Sequence, residues 1–168
     1  MSDTKIALPL AVVTVSDTRN EASDKSGRVL ADCLEKAGHR LHSKRIIKDD
    51  IYQLRAEVSC LIAEPEVKGI LMTGGTGFTD RDNTQKAIQP LLEKKIEGFG
   101  ELFRHLSYEE IGTSTIQSRV FAGLSNRTIV FCLPGSPGAC RTGWEDIIQY
   151  QLDSTHRPCN FVDKLVAD

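Results

Sequence analysis

A chain of 168 residues has the length of one domain, and at that size about 70% of the unfolded surface can be buried without a disulfide or metal staple. Hydrophobic residues make up 40% and charged residues 26%, as in a globular protein, and a net charge of −2 excludes a strongly basic nucleic-acid binder. The cysteines, Cys33, Cys60, Cys132, Cys140 and Cys159, are odd in number and lack C-x-x-C or zinc spacing, so free thiols in a reducing cytoplasm are expected. No signal-peptide pattern opens the chain, and no apolar run nears the roughly 18 residues of a membrane helix, so no membrane partner is expected.

In chain order, "ALPLAVVTV", Ala7 to Val15, is apolar and β-branched and reads as a strand buried on both faces. A helix follows over about Ser26–Ala37, with Val29, Leu30, Cys33, Leu34 and Ala37 on one side and Gly38 as its stop. "RLHSKRIIK" alternates imperfectly and reads as an outer strand. Asp50 with Gln53 then resembles a capping box opening a helix that turns Leu54, Val58, Leu61 and Ile62 inward. "KGILMTGG" is a second buried strand, and after its loop the helix "TQKAIQPLL" is shortened or kinked by Pro90.

Glu97–Glu110 reads as a helix with Phe99, Leu102, Phe103 and Leu106 as its buried stripe, ending in the hydroxyl-rich turn "GTSTIQSR". "VFAGLSNRTIVFCLPG" gives two strands around Ser125 and Asn126, the second the most strongly patterned in the chain. Its loop "LPGSPGACRTGW" leads into a last helix, capped by Ser136 with Pro137 at the first position, that turns Trp144, Ile147, Ile148 and Leu152 to the core. The residues after Asp153 read as a short polar tail. Alternating strands and helices without repeat or linker predict a single α/β domain over residues 1–168, a three-layer α/β/α sandwich on a mostly parallel, Rossmann-like sheet.

"LMTGGTGFTDRDNT", Leu71–Thr84, leaves a strand, spends three glycines and then gathers Asp80, Arg81 and Asp82. Glycines permit close backbone approach, and amides and hydroxyls bind anions, so a phosphate-sized guest is indicated. Neither a Walker P-loop nor a dinucleotide fingerprint fits, because Gly-Lys-Ser/Thr is missing and Asp80 stands where the third glycine belongs. Asp82 also fits a helix cap with Gln85 three residues on, and one of the pair Asp49 and Asp50 fits the cap of its own helix. Asp49, the 74–77 loop with Asp82, and the 134–137 loop all follow expected parallel strands, which places them at one sheet edge. Amide donors for phosphate beside two separated carboxylates suit Mg²⁺ and a phosphate ester, since Mg²⁺ is commonly held by one or two carboxylates plus substrate phosphates. His39, His42, His105 and His156 form no pattern, and Arg119, Arg141 and Arg157 receive no role from the sequence.

Together "TVSD", "DKSG", "TGGTGFTDRDNT", "EGFGELFRHLSYEEIGTSTIQSR" and "LPGSPGACRTGWEDII" make the chain resemble the MoaB/MogA family of molybdenum cofactor biosynthesis proteins over nearly its whole length. "FGELFRHLSYEEIGTS" and "RPCNF" resemble its MoaB branch. The resemblance implies a homo-oligomer, trimer or hexamer, that works with other enzymes of the pathway. It implies adenylylation of molybdopterin by Mg-ATP with release of pyrophosphate, or else a non-catalytic molybdopterin-binding or carrier role. Position by position, Asp82 matches the family's essential acid and Asp49 a second acid, with Lys48 standing where active members carry proline. Thr73, Gly74, Gly75, Thr76 and Gly77 match the phosphate and pterin loop, Pro134, Gly135, Ser136 and Pro137 a second ligand loop, and Ser16 and Asp17 the pocket lining after the first strand.

Overall fold

The computed structural model describes residues 4–167. Its sheet of six strands runs in the order β2-β1-β3-β6-β5-β4, with β1 Pro9–Val15, β2 Arg40–Ile47, β3 Gly69–Thr73, β4 Lys94–Lys95, β5 Phe121–Ser125 and β6 Thr128–Leu133. β2, β1, β3 and β6 are parallel, while β5 and β4 complete one side antiparallel. The mainly parallel three-layer architecture expected from the sequence is the one observed.

Period-two alternation on the central strands splits the core in two. Leu10 and Val12 of β1, Leu71 of β3, and Ile129, Phe131 and Leu133 of β6 face one side. There they pack on Leu30 and Leu34 of α1 (Lys25–Lys36), on Phe99 and Phe103 of α4 (Glu97–Ile111), and on Trp144, Ile147 and Ile148 of the last helical run. Their strand neighbours Ala11, Val13, Val15, Ile70, Met72, Val130 and Cys132 face the other side. That side is covered by Leu54, Val58, Leu61 and Ile62 of α2 (Ile51–Ala63) and by Ala87 and Ile88 of α3 (Thr84–Ile88). Each buried Val, Leu, Ile, Phe or Met side chain among them contributes about 1.5–3 kcal/mol, so two complete apolar layers hold the sheet rigid beneath its loops.

Several boundaries depart from the sequence reading for local reasons. α1 begins one residue earlier than expected, because the buried Asp24 carboxylate caps it by accepting the Gly27 N–H at 3.0 Å, the Thr14 hydroxyl at 2.8 Å and the Lys44 ammonium at 3.1 Å. Leu102 is 44% exposed rather than buried, because α4 turns Phe99, Gly100, Phe103 and Ser107 to the sheet and leaves Leu102 off that stripe. The last helical run comprises α5 (Pro137–Gly143), a π-helical segment Trp144–Ile148 and α6 (Gln149–Gln151). Beyond it the segment read as a polar tail forms α7 (Val162–Val166), whose Val162 and Leu165 are buried in the first core layer. All five cysteines are free, as expected. No helix among the described residues is long and apolar enough to cross a membrane.

Candidate functional site

Strand register brings the loops together. Thr14 pairs with Thr73, Thr73 with Leu133, and Val15 with Ile47, so the four parallel strands end along one edge and release loops 16–24, 48–50, 74–83 and 134–136 side by side. The carboxyl edge of an open α/β sheet is where such folds place ligands.

The glycine loop sits as close to the sheet as backbone allows. Gly74 and Gly75 have φ of +101° and +66°, and a methyl group on Gly74 would stand 2.4 Å from the Val15 carbonyl oxygen. Gly74 N–H donates to Leu133 O at 3.0 Å, Thr84 N–H to Gly75 O at 3.0 Å, and the Thr84 hydroxyl to Gly74 O at 2.8 Å. Thr73 is fully buried, and its hydroxyl donates to Pro134 O at 2.7 Å while accepting from the Cys140 thiol at 3.2 Å. Thr73 thus fastens the two loops together, and Pro137 opens α5 below them. Ser136 caps α5 as expected, its hydroxyl accepting the Ala139 N–H at 3.2 Å.

The acid pair after β2 divides its work. Asp50 caps α2, accepting the N–H groups of Tyr52 and Gln53 at 3.0 and 2.9 Å. Asp49 turns the other way, is 6% exposed, and accepts the Asn83 N–H at 3.0 Å through Oδ1, while its Oδ2 faces Gly75. Burial pushes the Asp49 carboxyl above its ordinary value; the Asn83 hydrogen bonds oppose that, and the charges of Asp17 and Asp82 add to it.

Asp82 does not cap α3. Asn83 holds that position, and the Asp82 Oδ2 instead accepts the Thr79 N–H at 2.8 Å and the Thr79 hydroxyl at 2.7 Å. Burial pushes its carboxyl up, but the Thr79 bonds, the Gly77 amide and the Arg119 charge outweigh it, so the group stays below the usual carboxylate range. Asp17 is paired already: Arg81 grips it bidentately at 2.7 and 2.9 Å, and the Asp49 N–H reaches it at 3.1 Å. The Arg81 hydrogen bond holds the Asp17 carboxyl low.

Between these loops and α4 lies a cavity of about 530 Å³. Ser16, Gly74, Gly75, Thr76, Gly77, Asp82, Pro134, Gly135 and Ser136 line it, while Thr73, Asp17, Asp49 and Pro137 do not reach its wall. Val15, Thr18, Arg19, Phe103, Ser107, Ile111, Ser114, Gln117, Ser118 and Ala139 complete the lining and were not singled out as site residues in the sequence. Arg19 and Asp82 are the charged side chains on that wall. The Arg19 guanidinium is aimed by two neutral acceptors, Ser26 Oγ at 2.7 Å and Gly135 O at 2.8 Å. The Ser118 hydroxyl is buried without a hydrogen-bond partner among the described residues. A second cavity, about 460 Å³, lies between α4 and the β4–β5 edge and includes none of the residues expected at the site.

Among the described residues no group of three or more His, Cys, Asp or Glu side chains could hold a metal ion. Asp49 and Asp82 are two separated carboxylates, Asp82 on the cavity wall and Asp49 behind Gly75; burial first, and then the charges of Asp17 and Asp82, raise the Asp49 carboxyl. One or two carboxylates completed by water and substrate phosphates is the usual donor set of Mg²⁺, and two carboxylates are what this site has to offer one.

Residues 11–154 match a family model described as "Probable molybdopterin binding domain". The chain is 52% identical over 152 residues to molybdenum cofactor biosynthesis protein B of Escherichia coli K12, covering 90% of this chain and 89% of that one. It is 45% identical to the protein of the same name from Bacillus cereus, covering 84% of each. Among solved structures, a molybdenum cofactor biosynthesis protein B superposes with a TM-score of 0.86 at 42% identity, covering 89% of this chain and 94% of that one. The tungsten cofactor synthesizing protein MoaB from Pyrococcus furiosus superposes with a TM-score of 0.76 at 36% identity, covering 84% and 90%.

Proposed function

The chain belongs to this molybdopterin-binding domain family of molybdenum cofactor biosynthesis, and we propose that it is a molybdopterin adenylyltransferase. In that reaction a phosphate oxygen of molybdopterin attacks the α-phosphorus of ATP. The bond from that phosphorus to the β-phosphate oxygen breaks, and pyrophosphate leaves with the electron pair. The attacking group is already an anion, so the protein has to align two anionic partners and offset their charge rather than remove a proton.

The observation that carries this reading is the cavity at the strand ends, where the glycine loop and the 134–136 loop face each other with Asp82 on the wall and Asp49 buried behind Gly75. The Gly74 N–H is taken by Leu133 O and the Gly77 amide by Asp82, so the N–H groups of Gly75 and Thr76 are the ones offered to phosphate oxygens, and Arg19 supplies a fixed cation for an anionic group of the substrate. Ser16, Gly135, Ser136 and the unpaired Ser118 hydroxyl shape and hydrogen-bond the pterin end, while Thr73, Pro134 and Pro137 keep the two loops in register. Asp17 acts by tying Arg81 and the Asp49 backbone together. Asp49 and Asp82 would hold the magnesium ion, which when bound supplies neutralisation of the triphosphate charge.

A non-catalytic pterin-binding or carrier role is the second reading, and one observation favours it: each acid already accepts a backbone N–H, from Asn83 and from Thr79, as a structural carboxylate would. Pyrophosphate release with Mg²⁺ and ATP, with and without molybdopterin, separates the two. Molybdopterin-dependent release supports the transferase, and an Asp82→Asn variant then loses most turnover while keeping fold and pterin binding. Pterin binding without release supports the carrier. A trimer or hexamer in the cytoplasm completes the proposal. Self-association is supported by the exposed Leu102, Tyr108, Ile111 and Ile116 on α4 and the following 3₁₀ turn, and its order is tested by the solution mass.

A further inference from the structure

Arg119 lies just before β5, far in sequence from the loop between β3 and α3, yet most of its hydrogen-bonding capacity is spent on that loop. Its Nε and Nη2 both donate to Gly77 O, the former at 2.8 Å; Nη2 also donates to Asp82 O at 3.1 Å and Nη1 to Gln85 Oε1 at 3.0 Å. Its backbone N–H donates to Thr76 O at 3.2 Å. The guanidinium also lies over the ring of Phe78, 4.8 Å from the centroid, although Phe78 is 68% exposed. One side chain therefore ties both ends of the 77–82 segment to the first turn of α3, and Arg119 itself is only partly exposed.

Little else fixes that segment. Residues Phe78 to Arg81 are exposed, and no side chain from Gly77 to Asp82 belongs to either core layer. Among the described residues the Asp82 carboxylate accepts hydrogen bonds only from its own loop, from Thr79 and the Gly77 amide, with the Arg119 charge nearby. Across it the Asp17–Arg81 ion pair is solvent-exposed and so adds little. The carbonyls of Gly77 and Asp82 meet one rigid, planar, five-donor group, a geometry that a lysine's single ammonium cannot reproduce.

We propose that Arg119 is a positioning residue, whose guanidinium clamps the 77–82 loop so that the Asp82 carboxylate is presented to the cavity in one geometry. This deepens the adenylyltransferase reading and rests on it. Arg119 touches no reacting atom; it acts through Asp82.

The test compares the wild-type protein with Arg119→Lys and Arg119→Ala, using purified molybdopterin and Mg-ATP below the unfolding temperature of all three. The expected order of kcat is wild type, then Lys, then Ala, with Ala down by about 100-fold, the scale set by a displacement of about 1 Å in a reacting geometry. KM for molybdopterin changes less than kcat, and added guanidinium ion restores part of the Ala variant's kcat. Hydrogen exchange at the amides of Thr79, Asp82 and Asn83 rises in Arg119→Ala, with the strand amides unchanged. Unaltered kcat in Arg119→Ala, or a loss that guanidinium does not restore, would overturn the proposal. If the wild type yields no ATP-dependent product, the adenylyltransferase reading fails, whereas the exchange result still decides whether Arg119 holds the loop: unchanged exchange at 79–83 sinks the clamp by itself.

Discussion

Gly74→Ala puts the glycine loop under a test whose magnitude comes from two measurements. The residue has φ of +101°, a region that an L side chain enters at a penalty of about 1–3 kcal/mol. Its new methyl would lie 2.4 Å from the Val15 carbonyl oxygen, where ordinary contact begins near 3.4 Å. Val15 ends the central strand β1 and is paired through Ile47 of β2, so the neighbour cannot yield; the loop must withdraw by about 1 Å. Adding overpacking of about 1–3 kcal/mol, the variant should lose about 2–6 kcal/mol. That corresponds to a melting temperature lower by about 4–24 °C in a domain of this size. A withdrawal of 1 Å at the cavity wall should also reduce turnover by about 100-fold. Thermal unfolding followed by circular dichroism reads the first quantity and pyrophosphate release the second. Gly138→Ala is the control: it sits in the first turn of α5 with nothing within 4 Å of the added methyl, and should be neutral or stabilising by about 0.4–1 kcal/mol. A Gly74→Ala protein that melts with the wild type, or a Gly138→Ala protein damaged to the same degree, would refute the close-approach argument.

Asp24→Ala removes the α1 cap and the acceptor of the buried Thr14 hydroxyl, while Lys44 keeps Glu21 as its partner, so urea unfolding should show a loss of about 2 kcal/mol. Asp24 has its carboxyl held low, the Gly27, Thr14 and Lys44 contacts outweighing burial, so its contribution is present above the unfolded value near 3.9 and disappears as pH falls through the lower folded value. Asp49 behaves oppositely: its carboxyl is raised by burial, so its ionised form disfavours the fold at neutral pH. Asp49→Asn should therefore raise the unfolding midpoint while abolishing turnover, and a variant both less stable and fully active would contradict the assignment. His39 has burial pushing its imidazole down to about 4, with Nδ1 accepting the Leu8 N–H at 3.2 Å. Keeping it neutral makes the fold lose about 3 kcal/mol as pH drops from 6.5 to 4, and its ring proton signals in NMR should stay constant above about pH 5.

What the sequence made legible follows from how locally each feature is encoded. β1, β3 and β6 are short β-branched runs buried on both faces, so composition alone marks them. The glycine loop and Asp82 were readable because positive φ and a strand-to-helix turn leave a local signature. The acids at 49 and 50 could not be told apart from pattern, since either suits a cap; the turn between β2 and α2 decides it by aiming Asp50 at α2 and Asp49 at Asn83. Arg19 and the α4 wall were hidden because their role arises only when the sheet order sets α4 and the β1–α1 loop around one cavity. β4, two exposed lysines paired with Gly123 and Leu124, carries no apolar pattern, and α7 was hidden by the polar residues that precede it.

The central claim is adenylyl transfer, and the most direct measurement follows the adenylyl group itself. The wild-type protein is incubated with Mg²⁺, molybdopterin and ATP labelled at the α-phosphorus, and the pterin fraction is separated and its mass determined. The account predicts label in the pterin fraction as molybdopterin adenylate, with an equal amount of pyrophosphate, and its loss in Asp82→Asn. Unlabelled pterin recovered from a protein that still binds it would contradict the account and leave the cavity as a carrier's cradle.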